Sequence, residues 1–223
     1  MSTVALVALA RPTFDLACAQ SNFDSARALL QELGATVVGP AELVMTVDDV
    51  AAVTLPQADL HILFMASFSD ASPAVELLGS VKGPILGWSM REPGEVGERL
   101  KLNSMCGVNL AAHALMDAGQ TIRHIHGNAD EPHVREAIAD ALNGTLPAAA
   151  TPARINGERA PQSVADQAFA WLKGKKVGAV GEAPVGFTPC LFDGPKLNSL
   201  FGLDVRQISI DNAFERISKV EPE

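Results

Sequence analysis

Thr3-Val4-Ala5-Leu6-Val7-Ala8-Leu9-Ala10-Arg11-Pro12 opens the chain, and the character of its apolar part decides how the rest folds. Val4 to Leu9 is a continuous apolar run, which marks a strand buried on both faces; a strand with one wet face would alternate. Arg11-Pro12 ends the run far short of the ~20 residues a bilayer span needs, and no basic segment precedes it as in a secretory leader. A strand of this kind needs helices above and below it. The sequence supplies them, with helical spacing over Ser21 to Leu33 at Phe23, Ala26, Leu29, Leu30 and Leu33, and Gly34 as a C-terminal stop.

The alternation continues outward. Strands are predicted at Ala35 to Val38, Leu60 to Met65, Pro84 to Trp88 and Thr121 to His126, with helices over Val47 to Leu55, Ala71 to Leu78 and Cys106 to Asp117. Strands separated by helices of this length give an α/β fold with a doubly wound parallel sheet. Ala139 to Pro161, with its Ala and Pro residues and an Asn-Gly pair, reads as a helix end and an exposed connection. That places an amino-terminal α/β domain over residues 1–160 and the beginning of a second α/β domain over 161–223. In the second, a helix over Gln162 to Leu172 precedes a strand over Lys175 to Val180, a helix over Gly194 to Leu200 and a strand over Val205 to Ile210, with Asp211 capping a last helix.

Composition narrows the function classes. The 223 residues are 48% hydrophobic and 19% charged, values of a globular chain with a sizeable core. Twenty-six acidic against 17 basic residues give a net charge of −9, and no Lys/Arg cluster tracks phosphates, which argues against a nucleic-acid partner and a membrane surface. Cys18, Cys106 and Cys190 are widely spaced with no CxxC pair, which suits buried free thiols in a reducing cytoplasm.

Chemistry in a parallel sheet collects at the carboxyl ends of its strands. The loop after the first strand offers Arg11 and Asp15, the loop after the third Ser67, Ser69 and Asp70, and the loop after the fourth Arg91 and Glu92. An Arg there either holds a hydroxyl-rich or anionic ligand or pairs with Asp15 and nearby carbonyls. Asp70 precedes a helix, so capping alone accounts for it. Leu102 to Asn109 reads as a loop entering a helix, where Asn103 and neighbouring amides either grip a ligand or cap the helix.

His124 and His126 flank Ile125 and share one face of a strand, but no carboxylate or thiolate lies near them in sequence, so a half-exposed edge strand is the simpler reading than a metal site. No Ser-His-Asp order, GxSxG, HExxH or Walker loop occurs, and Gly178-Ala179-Val180-Gly181 misses the dinucleotide fingerprint. Glu182, in the Gly/Pro loop Gly181 to Phe187, is either an acid/base or hydroxyl-binding group or a solvated turn residue.

Taken in order, Ala10-Arg11-Pro12-Thr13-Phe14-Asp15, Ser69-Asp70-Ala71-Ser72, Arg91-Glu92-Pro93-Gly94, Leu102 to Asn109, and Gly181-Glu182-Ala183-Pro184-Val185-Gly186-Phe187 with Cys190 and Phe192-Asp193 resemble the L-fucose/L-arabinose isomerase superfamily, specifically the amino-terminal half of its fucose-isomerase-like proteins. The resemblance implies a Rossmann/flavodoxin-like first domain and aldose–ketose isomerisation in carbohydrate metabolism through an enediol, with a divalent metal, usually Mn2+, polarising the carbonyl. It implies that Arg11, Phe68 and Ser69 face the sugar, that Glu182 lies close to it, and that in the oligomer the first domain covers a neighbouring subunit's active site. The family's metal-binding Glu, Asp and His come further along, so the expectation is a chain that binds no metal itself. It would act as part of a longer isomerase, as one subunit of a pair with a complementary polypeptide, or as a stand-alone sugar-binding or regulatory module without catalysis.

Overall fold

The structure is a computed structural model and describes residues 2–149 and 160–220. The chain divides into two compact units, Met1–Ala150 with Val185–Pro189, and Thr151–Pro184 with Cys190–Glu223. The connection expected across 139–161 falls in part on residues 150–159, outside the described residues.

The first unit runs β1 (Thr3–Leu9), α1 (Leu16–Glu32), β2 (Thr36–Val38), α2 (Val47–Ala52), β3 (Leu60–Met65), α3 (Ser72–Leu78), β4 (Ile85–Ser89), α4 (Ser104–Asp117), β5 (Ile122–His126) and α5 (Pro132–Leu142). Its strands form one five-stranded sheet in the order β2-β1-β3-β4-β5, every neighbouring pair parallel. This is a doubly wound flavodoxin-like order. The opening apolar run explains it directly. Val4, Leu6 and Ala8 pack with Phe23 and Leu30 of α1 and Ile138 of α5, while Val7 and Leu9 pack with Ala74 and Leu78 of α3 and Val108 and Leu115 of α4, all of them buried. Trp88 anchors the first of these layers edge-on against Phe64, centroids 5.2 Å apart, and its indole N–H donates to the Gly127 carbonyl at 2.9 Å.

Local chemistry sets the helix starts. The Asp15 carboxylate accepts from Cys18 N at 3.0 Å and begins α1 at Leu16, a turn and more before the expected start at Ser21. Asp15 is thereby a cap rather than a partner of Arg11. Thr46 and Asp49 form a reciprocal capping box on α2.

The second unit holds α6 (Gln162–Leu172), β6 (Lys176–Val180), α7 (Gly194–Phe201), β7 (Asp204–Ile208) and α8 (Ile210–Ile217), with β6 and β7 paired in parallel. Ser209 caps α8, its hydroxyl accepting from Asn212 N at 3.2 Å, so the expected capping role of Asp211 passes to Ser209 and Asp211 becomes a first-turn acid. Phe169 and Phe201 stack with centroids 5.7 Å apart, yet none of the three helices has a buried residue and Trp171, Val180 and Phe214 are all exposed. Among the described residues, no helix is long and apolar enough to cross a membrane.

Candidate functional site

In the order β2-β1-β3, the chain leaves β1 to one side for β2 and returns on the other as β3, so the loops after β1 and β3 diverge and leave a crevice between them. A cavity of about 310 Å3 lies there, lined by Arg11, Pro12, Thr46, Ser69, Asp70 and Val185 among others.

The crevice has a rigid floor. Ala66 N and Ser67 N both donate to the Leu9 carbonyl, at 2.9 and 3.2 Å, and Arg11 N donates to the buried Ser67 hydroxyl at 3.0 Å. The Arg11 backbone is therefore fixed while its guanidinium stays exposed, 5.8 Å from the centre of the Phe68 ring. Among the described residues no carboxylate lies within ion-pair distance of Arg11, and Arg11 is the one cation lining the crevice. Ser69, 5% exposed, places a hydroxyl beside it. Asp70 accepts from Ser72 N at 3.0 Å, so it satisfies the first N–H of α3 from one residue before the N-cap, Ala71, rather than as the cap the sequence suggested.

Phe68 sits in a row of three rings, 5.9 Å from Phe14 on one side and 5.9 Å from Phe187 on the other. The segment Val185–Pro189 that carries Phe187 folds with the first unit, held by Ala71 N to the Gly186 carbonyl at 3.2 Å and by a 2.9 Å contact between the His113 ring and the Thr188 hydroxyl. Gly186 has φ +79°, and a Cβ there would lie 2.5 Å from Asp70 Oδ1, so only glycine lets this strap approach. Sequence reading had no signal for the strap's position, because Val185 and Phe187 are more than a hundred residues from their contacts.

The loop after β4 is latched beside the crevice. Glu92 accepts from three successive backbone N–H groups, those of Lys101, Leu102 at 3.0 Å and Asn103 at 2.6 Å, and Phe68 N donates to the Leu102 carbonyl at 2.7 Å. Asn103 stands at the N-cap of α4 in the left-handed region, φ 50°, and its side chain makes no capping bond. Of the two roles open to it, capping by the side chain is thus absent, and its amide is half-buried in the loop that holds Phe68. The neighbouring Ser104 does the joining: its buried hydroxyl accepts from Met90 N at 2.9 Å and donates to the Met65 carbonyl.

Other sequence candidates lie elsewhere. Arg91 does not line the crevice; its guanidinium makes two bonds to Glu131, at 2.7 and 2.6 Å. Arg91 and the Asn128 amide hold the Glu131 carboxyl far down, at about 2. Glu182 belongs to the second unit, exposed after β6, and no hydrogen-bond partner is found for its carboxylate among the described residues. The thiols are free, but only Cys18 is even half-buried; Cys106 and Cys190 are exposed on helix and turn surfaces, contrary to the expectation of buried thiols. Burial, and then Asp15, push the Cys18 thiol up, which disfavours a thiolate. His124 and His126 share a face of β5, the edge strand, as expected. Among the described residues no three His, Cys, Asp or Glu side chains are grouped to hold a metal ion.

Chemically, the crevice can grip a small polar molecule by the Arg11 cation and the Ser69 hydroxyl, with the buried Phe68 ring standing behind Arg11 rather than in the lining. Among the described residues its carboxylates are Asp70, bonded to Ser72 N, and Glu76.

No protein-family model matches the chain. It is similar over nearly its whole length to curated proteins named sulfoquinovose isomerase. That of Alkalicoccus urumqiensis is 29% identical over 227 residues, covering 100% of this chain and 46% of the relative. Those of Clostridium sp. and Priestia megaterium are 28% and 26% identical over 225 and 223 residues, covering 99% and 98% of this chain and 45% of each relative. The chain spans about half the length of the curated relatives it matches.

Proposed function

We propose that this chain supplies the substrate-recognition layer of a cytoplasmic aldose–ketose isomerase of the L-fucose/L-arabinose isomerase type, acting on a sulfonated aldohexose such as sulfoquinovose. The observation that carries the reading is the exposed Arg11 guanidinium, without an ion-pair partner among the described residues, in a crevice whose other lining is apolar side chains such as Pro12, Val50 and Val185, the Thr46, Ser69 and Ser72 hydroxyls and the Asp70 and Glu76 carboxylates. A sulfonate is anionic at every physiological pH and matches the planar fork of an arginine, whereas a neutral 6-deoxyhexose has nothing for that charge to neutralise. The relatives' shared name supports the same substrate class.

The layer works by positioning. Arg11 would fix the sulfonate end, Ser69 a ring hydroxyl, and Phe68 the apolar face of the carbon chain, holding the carbonyl end at a constant distance from them. Asn103 is assigned a further hydroxyl contact in the same proposal, and for Glu182, on the second unit, a sugar contact is proposed from the family resemblance alone. The described residues do not fit an Mn2+ site, so the metal expected of the family enzyme is given no ligand in this chain, and no step is derived through it. The exposed apolar side chains of the second unit favour assembly with further polypeptide, whether a second copy or a complementary one, over a stand-alone module.

Isothermal titration of the purified chain with sulfoquinovose, D-glucose and L-fucose tests the reading. We expect binding of sulfoquinovose that weakens by about tenfold or more in Arg11→Ala, the scale of a lost charge-assisted hydrogen bond. Equal affinity for sulfoquinovose and D-glucose would overturn the sulfonate assignment.

A further inference from the structure

At the carboxyl ends of β4 and β5, two strands along from the crevice, the buried Ser89 hydroxyl lies between two imidazoles: His124 Nε2 at 2.8 Å and His126 Nδ1 at 2.9 Å. Among the described residues the one other hydrogen-bond partner of that hydroxyl is the Met105 thioether at 3.8 Å, a poor acceptor. We propose that His124, Ser89 and His126 form a tautomer-coupled proton relay that opens the pyranose ring of the sugar before isomerisation; this rests on the substrate reading above.

The coupling follows from counting protons. A serine hydroxyl has one hydrogen to give and lone pairs to receive. With both imidazoles neutral, Ser89 donates to one facing nitrogen and accepts from the other. If His124 Nε2 accepts, the proton of His124 sits on Nδ1, and His126 donates from its own Nδ1. If His126 Nδ1 accepts, its proton sits on Nε2, and His124 donates from Nε2. Both rings therefore carry their proton on Nδ1 together, or both on Nε2. In either state the outward nitrogens, His124 Nδ1 and His126 Nε2, present one donor and one acceptor. No partner is found for either among the described residues. Burial of the ring, and then the neighbouring His126, hold His124 below the ordinary imidazole value, which keeps it neutral near pH 7.

An aldose in water is a closed hemiacetal, and an isomerase needs the open aldehyde. Opening moves one proton: it leaves the C1 hydroxyl as C1=O forms, the C1–O5 bond breaks, and O5 takes a proton. In the relay His126 Nε2 accepts the hydroxyl proton, His126 Nδ1 passes its proton to Ser89, Ser89 passes its own to His124 Nε2, and His124 Nδ1 delivers one to O5. The pair ends in the opposite tautomer with no net charge formed, and the reverse shift through water restores it. A single neutral imidazole would have to become a cation to do the same work.

Two measurements test this on the full chain. Long-range 1H–15N correlation of the histidine rings at pH 7.5 should show His124 and His126 protonated on the same nitrogen type, or exchanging together between the two. Protonation of His124 on Nε2 with His126 on Nδ1, the state in which Ser89 turns to Met105, would overturn the relay. Exchange spectroscopy of the sulfoquinovose anomers should show faster interconversion with the chain than in buffer. That acceleration should fall by about tenfold or more in Ser89→Ala and in His124→Gln, in samples that keep the parent's melting temperature and calorimetric binding. Binding without acceleration would overturn ring opening and leave the substrate reading intact. Absence of binding would overturn the substrate reading and ring opening together, whatever the tautomers show.

Discussion

Arg91 and Glu131 form a two-point ion pair, 2.7 and 2.6 Å, that ties the loop after β4 to the residue preceding α5. The same Glu131 carboxylate accepts from Asn128 N at 2.6 Å, so one side chain orders the turn after β5 as well. Because its carboxyl is lowered from 4.5 to about 2, its contribution to stability is present above the ordinary carboxylate value and is lost as pH falls toward 2. Glu131→Gln should remove this part of the acid limb. Thermal unfolding of both proteins between pH 2 and 6 reads it as a shallower slope in the variant.

His61 gives a dependence at higher pH. It is 2% exposed in β3, its Nδ1 has no hydrogen-bond partner among the described residues, and burial lowers its pKa from 6.5. The unfolded chain then binds the proton more readily than the folded one, so stability should rise with pH through the region just below 6.5 and level off above it. His61→Leu should flatten that rise, seen in urea midpoints measured from pH 5 to 7.5. A variant with the unchanged slope would place the effect on other groups.

Gly107 of α4 faces the sheet with no room to spare. A Cβ there would lie 2.8 Å from Met65 Sδ and 3.2 Å from the Phe68 α-carbon. Gly107→Ala should cost about 1–3 kcal/mol of stability through overpacking. It should also displace Phe68, and with it the ring row and Arg11, so sugar affinity and the urea unfolding midpoint should fall together in this variant, unlike in Arg11→Ala.

Trp88→Phe should keep most of the apolar packing against Phe64 but strand the buried Gly127 carbonyl that now accepts from the indole. The expected loss is about 1–3 kcal/mol, measured by urea unfolding. A neutral result would mean that water reaches that carbonyl.

The parts of the fold that were legible are those where local pattern and tertiary burial coincide. Leu60–Met65 was read to the residue because its side chains are all buried and, His61 apart, all apolar. The start of α1 was misplaced because Ser21 is as good a capping residue as Asp15, and only the bond from Cys18 N chooses between them. Arg11 and Ser69 were legible as neighbours in one crevice because they follow adjacent parallel strands, which comes from topology alone, whereas Phe68 was implied only by the family resemblance. Arg91 was grouped with them for the same reason, and its partner Glu131, 40 residues on, carried no local sign of pairing. Ser89 was invisible as a centre: it closes an apolar strand, and the imidazoles that meet it lie 35 and 37 residues later.

The second unit has a consequence for how the protein behaves in a tube. Its three helices have no buried residue, and Trp171, Val180 and Phe214 stand in water. An element in that condition gains little from its own folding and much from whatever covers it. Its melting should therefore track protein concentration rather than sequence alone: dilute samples should lose the signal of Trp171 at lower temperature than that of Trp88 in the first unit, and concentrated ones should bring the two together.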